Sequence, residues 1–81
     1  MVIAYRVVIL LSTGTTYAKM LNSKEDRDTL FAEIQNALSS GVGTLNFNQD
    51  IPPGTPIQAA LVVISVPQIV AIEKQDVKIS D

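Results

Sequence analysis

The chain has 81 residues and a formal net charge of −2, which suits a single small domain, residues 1–81, with one modest hydrophobic core. It contains no cysteine and no histidine, so disulfides and thiolate metal sites are excluded, and the commonest general base and neutral metal ligand are missing. The six basic residues are dispersed along the chain, and we therefore expect no nucleic-acid binding.

The first predicted element is a β-hairpin over residues 4–21. Residues 7–11 form an apolar run rich in β-branched side chains, residues 12–15 are typical of a turn, and residues 16–18 begin a second strand. Gly14 can supply the positive φ angle that a tight turn requires. With a two-residue loop of Thr13 and Gly14, Leu11 would lie opposite Thr16.

This register predicts two faces, because cross-strand partners share a face. The face expected to form the core carries Tyr5, Val7, Ile9, Leu11, Thr16, Ala18 and Met20. The opposite face carries Arg6, Val8, Leu10, Tyr17, Lys19 and Leu21. A slip of one residue would exchange the partners on the second strand.

We interpret the second face as an interface or ligand face, since two cations and an aromatic ring lie there among apolar side chains. Two interpretations stay open. Arg6 and Lys19 bind an acidic protein partner or a small anionic ligand, or they border a contact between subunits, with their apolar stems packed along it.

An amphipathic helix follows the hairpin. Ser23 is the predicted N-cap, with its side chain accepting from the Asp26 amide, and the acidic residues after it suit the positive end of the helix dipole. The apolar face of the helix is predicted to carry Leu30, Phe31, Ile34, Ala37 and Leu38. Gly41 is predicted to end the helix in the left-handed conformation.

The second half of the chain predicts three strands. Residues 44–48 alternate apolar and polar side chains, as a half-exposed strand does, and residues 49–56 contain three prolines, which predicts a stiff loop. Residues 57–66 are apolar on both alternating faces and predict a central strand. A corner at Pro67 and Gln68 leads into a last strand at residues 69–74, which Val77 and Ile79 can prolong.

The order β-β-α-β-β, with a fifth strand, predicts an α+β fold. We expect a mainly antiparallel sheet of four or five strands with the single helix packed on one face. The alternative is a small, partly closed barrel with the helix as a lid.

The sequence gives no catalytic, metal-binding or cofactor-binding motif. Gly41 and Gly43 follow a helix, whereas a phosphate-binding glycine loop precedes one. Glu25, Asp26 and Asp28 lie within one helical turn and lack the ligand spacing of a calcium loop. We therefore expect no enzyme, no cofactor and no metal site.

The predicted function is that of a small non-enzymatic, homo-oligomeric binding or regulatory protein that acts through its second sheet face. One alternative is a structural subunit of a larger phage or cellular assembly. Another is a protein that sequesters small molecules or anions at subunit junctions. The apolar run of the first strand is far shorter than the roughly 20 residues of a membrane span, so we expect a cytoplasmic protein with no membrane contact.

Overall fold

The computed structural model describes residues 2–51, 54–57 and 60–80, and in these ranges it has one α-helix and five strands. The elements are β1 (Val2–Leu11), β2 (Thr16–Leu21), α1 (Lys24–Ser39), β3 (Thr44–Gln49), β4 (Ala60–Ser65) and β5 (Ile69–Ser80). All pairs are antiparallel, in one sheet of order β2-β1-β5 and a second of order β3-β4. The predicted α+β fold is confirmed. The strands divide between two open sheets and do not close into a barrel.

A three-residue loop, Ser12 to Gly14, closes the hairpin of β1 and β2. The Leu11 amide donates to the Thr15 carbonyl at 2.9 Å, and the Gly14 amide donates to the Leu11 carbonyl at 2.9 Å. Gly14 has a φ of 92°, as expected where a turn is followed by a left-handed residue. The predicted two-residue loop was wrong. One more loop residue shifts the pairing by one position and turns β2 over relative to β1.

The observed register pairs Ile9 with Tyr17 and Val8 with Ala18. The core face of β2 therefore carries Tyr17, Lys19 and Leu21. The residues predicted for that face, Thr16, Ala18 and Met20, lie on the other side of the sheet. The alternation predicted for β1 is confirmed, and its Val7 and Ile9 join the buried core with Ile34 of α1, Phe47 of β3 and Ile64 of β4.

Helix α1 has both predicted caps. The Ser23 hydroxyl accepts a hydrogen bond from the Asp26 amide at 3.1 Å. Gly41 has a φ of 72°, and its amide donates to the Leu38 carbonyl at 3.0 Å. Ile34 is 1% exposed, and the partly buried side chains packed against the same core include Leu30, Phe31 and Leu38. The helix thus lies on the core face of the three-stranded sheet, as predicted.

Of the second apolar run, residues 57–66, Ala60–Ser65 forms an edge strand, and residues 58 and 59 lie outside the described residues. Within the described residues β4 pairs with β3 alone, so the predicted central position was wrong. Ile64 faces the core, whereas Leu61 and Val63 are 60% and 61% exposed on the opposite face. Apolar side chains do occupy both faces of this strand, but one of these faces is open.

The corner after β4 is confirmed as a short 3-10 helix, Val66–Gln68, and β5 then continues without a break to Ser80. Of the predicted stiff loop, Pro52 and Pro53 lie outside the described residues.

Asp50, directly after β3, links the two sheets. Its amide donates to the Ala18 carbonyl at 3.0 Å, and its carboxylate accepts from the Met20 amide at 2.7 Å. The same carboxylate lies 3.6 Å from the Lys19 ammonium. The outer edge of β2 is therefore occupied at this position by the end of β3.

Replacing Ile34 with alanine should destabilise the protein by about 2–5 kcal/mol, because the deleted atoms leave a cavity in the shared core. Urea denaturation followed by circular dichroism measures the loss. Gln35→Ala, at an exposed position of the same helix, is the control and should change little. A loss below about 0.5 kcal/mol for Ile34→Ala would show that the helix does not pack through this residue.

Candidate functional site

The six residues that the sequence predicts as an interface or ligand face are divided between two faces. Because of the observed register, Arg6, Val8 and Leu10 lie on the side of the three-stranded sheet that faces away from α1. Tyr17, Lys19 and Leu21 lie on the core side.

The side turned away from α1, here named the outer face, is built in three cross-strand rows. From β5 through β1 to β2 the rows are Gln75, Arg6 and Met20; Glu73, Val8 and Ala18; and Ala71, Leu10 and Thr16. The core residues of α1, β3 and β4 all pack on the opposite side, against Val7 and Ile9. In the described part of the chain no second layer covers the outer face, and its apolar side chains are half-buried or exposed.

A polar chain crosses the outer face beside these apolar residues. Arg6 Nε donates to Gln75 Oε1 at 2.8 Å, and Gln75 Nε2 donates to Glu73 Oε1 at 2.7 Å. The ion pairs among the described residues involve neither Arg6 nor Glu73. The outer face therefore presents one positive and one negative charge that are held in place but not neutralised.

The three remaining predicted residues have different surroundings. Tyr17 and Leu21 are partly buried against the core, and Lys19 reaches Asp50 at the sheet edge. Lys19 and Leu21 also line a groove of about 290 Å³ between β2, α1 and β3, together with Leu30, Glu33, Asn46, Phe47 and Asn48. The groove brings together residues from three elements and was not predicted from the sequence.

A buried cation at the start of α1 was also missed. Arg27 is 3% exposed, and its Nη1 donates to the Gln75 carbonyl at 2.7 Å and to Asp76 Oδ1 at 2.5 Å. Its Nε donates to Asp28 Oδ1 at 2.8 Å, and the guanidinium lies 5.3 Å from the centre of the Tyr5 ring. The spacing of residues indicates that Arg27 lies on the buried face of the helix. Arg27 precedes Phe31 by four residues and Ile34 by seven, which is the spacing of the apolar stripe.

Ion pairs link Arg27 to Asp28 and Asp76, and Lys74 to Asp28. The hydrogen bond from Arg27, opposed in part by burial and aided by Lys74 at 3.7 Å, lowers the pKa of Asp28. The hydrogen bond to Asp76 is the main cause that raises the pKa of Arg27. Lys74 in turn lies 5.4 Å from the centre of the Phe31 ring. We interpret this cluster as an anchor that fixes the helix start on β5 and β1.

The described residues contain no group of three or more acidic, histidine or cysteine side chains arranged to hold a metal ion. In the same ranges, no helix has the length and apolar character needed to cross a membrane. The sequence matches no protein family, no curated protein and no solved structure. In the described parts of the chain, the outer face and the groove are the two surfaces that can take part in binding.

The Asp28 ion pairs should make stability depend on pH. Because the folded state lowers the pKa of Asp28, its contribution is present above the ordinary value near 3.8 and is lost as the pH falls below it. Urea unfolding at neutral and acidic pH should show Asp28→Asn less stable than the wild type at neutral pH, with the difference shrinking in acid.

Asp26→Asn is the control, since the Asp26 carboxylate forms no ion pair within the described ranges. A wild-type advantage over Asp28→Asn that stays constant from neutral to acidic pH would contradict the role of this carboxylate.

Proposed function

We propose that the protein is a small, non-enzymatic binding or regulatory module that works in the cytoplasm as a homo-oligomer joined through its outer face. The observation that carries the proposal is the apolar surface of the outer face, where Met20 is 38% exposed, Val8 and Leu10 are half-buried, and no other element of the described chain packs on them. Soluble monomers rarely expose a contiguous apolar patch of this kind without a binding role. A second copy of the chain would bury it.

The outer face carries charges of both signs, which favours a second copy of the chain as its partner over a protein whose surface carries charges of one sign. The face carries Arg6 and Glu73, and each lacks an ion pair within the described residues. In a two-fold contact, residue i of one copy meets residue j of the other and the reverse also holds. Arg6 of each copy can then meet Glu73 of its mate, so the face is complementary to itself.

The dimensions of the outer face predict a weak to moderate association. Ten residues of β1 span roughly 33 Å, and three strands are about 14 Å across. The resulting flat area per copy is on the order of 450 Å², below the ~800 Å² per partner of standard stable interfaces. We therefore expect a dissociation constant in the micromolar range.

The chemistry of the chain supports the non-enzymatic part of the proposal. With no histidine and no cysteine, the sequence lacks the side chains that most often act as general base or thiol nucleophile near neutral pH. The absence of cysteine also agrees with a reducing compartment such as the cytoplasm.

Sedimentation velocity tests the interface. The wild type should pass from monomer to dimer between about 10 and about 500 µM, and Val8→Asp should weaken the dimer by at least about tenfold, because it buries an unpaired carboxylate. The matched control is Val63→Asp, the same change on the exposed face of β4. A wild type that stays monomeric, or dissociation by Val63→Asp alone, would contradict the proposal.

A charge exchange tests the two-fold arrangement. Arg6→Glu places two carboxylates opposite each other at the proposed contact and should weaken the dimer. Combining Arg6→Glu with Glu73→Arg restores opposite charges and should restore dimerisation, as measured by the same sedimentation experiment. If the double variant dissociates as much as the single one, Arg6 and Glu73 do not meet across the interface.

A further inference from the structure

The groove between β2, α1 and β3 has an apolar floor and a polar rim. Leu21, Leu30 and Phe47 come from the three surrounding elements and supply apolar surface. Lys19 and Glu33 supply the charged groups of the rim. Asn46 and Asn48 complete the lining, and they alternate with the buried Phe47 along β3, so their side chains lie on its opposite face. This combination, a mainly apolar surface with a few placed polar groups, is typical of small-molecule sites.

The two charged side chains of the rim differ in whether they form an ion pair. The Lys19 ammonium is paired with Asp50 at 3.6 Å, outside the groove lining. Glu33 forms neither an ion pair nor a side-chain hydrogen bond within the described residues. The helix positions three and four residues away hold Thr29, Leu30, Asn36 and Ala37, none of which is a cation. The carboxylate of Glu33 is therefore the uncompensated charge at the groove.

We propose that this groove binds a small molecule carrying a primary ammonium group on a short apolar body. The ammonium group pairs with the carboxylate of Glu33 at the groove. The apolar body covers Leu21 and Leu30. A volume of about 290 Å³ is at the lower limit for ligand pockets and suits a compact amine. The site is separate from the outer face, because it lies on the core side of β2.

Three probes with the same five-carbon skeleton test the ligand class: 3-methylbutylamine, 3-methylbutanol and 3-methylbutanoate. Amide chemical-shift changes in ¹H–¹⁵N spectra of the labelled protein should map 3-methylbutylamine to Leu21, Leu30 and residues 46–48, with millimolar affinity that falls as salt is added. The alcohol should bind more weakly and the carboxylate should bind weakest. Equal binding of all three probes, preference for the carboxylate, or no binding of the amine would overturn the proposal.

Two variants of the charged rim residues should change the affinity for the amine in opposite directions. Glu33→Gln keeps the size of the side chain and should weaken amine binding about two- to fivefold, the range of an exposed ion pair. Lys19→Met leaves Asp50 unpaired beside the groove and should strengthen amine binding. Glu25→Gln, at the start of the same helix and away from the groove, should have no effect. An unchanged affinity in Glu33→Gln, or weaker amine binding in Lys19→Met, would overturn the assignment.

Discussion

The length of one loop determines which side chains of the first hairpin enter the core. With three residues between Leu11 and Thr15, β2 turns Tyr17 and Leu21 inward, where they pack against the buried cluster of both sheets and the helix. The same pairing places the small Ala18 beside Val8 on the outer face. It also brings the Lys19 stem to the groove. Both candidate sites therefore depend on the hydrogen bonds that close this loop and on the left-handed backbone of its glycine.

The helix is held on the sheet by a second constraint, the buried guanidinium of Arg27. It donates to a backbone carbonyl of β5 and to two carboxylates, and it contacts the Tyr5 ring of β1. A charge taken out of water costs free energy unless its hydrogen-bonding capacity is satisfied. The requirement that several partners converge on one planar group restricts where the helix start can lie. Apolar contacts are less directional, so the guanidinium adds a geometric restriction to the packing of Ile34 and its neighbours.

The parts of the structure that follow from local groups could be predicted from the sequence. The Ser23 cap and the left-handed Gly41 involve neighbours within three residues. The hairpin register could not be predicted, because loops of two and three residues both suit residues 12–15 and both use a glycine with positive φ. Both faces of β4 are apolar, which indicated a central strand. The prediction failed because the number of strands that pair with β4 depends on the whole sheet and not on the residues of β4 alone. The groove could not be predicted either, because it combines residues from three separate elements. The error in the register also placed Tyr17, Lys19 and Leu21 on the wrong face of the sheet.

The position of Asp50 affects how the protein can aggregate. An uncovered strand edge is a template on which further strands of other molecules can add. Asp50 fills part of the β2 edge with one main-chain and one side-chain hydrogen bond, so an incoming strand would have to displace both. On the opposite border of that sheet, β5 carries Glu73, Lys74, Asp76 and Lys78, charges that disfavour the stacking of identical strands. Both borders of the three-stranded sheet are therefore protected against strand addition, each in a different way.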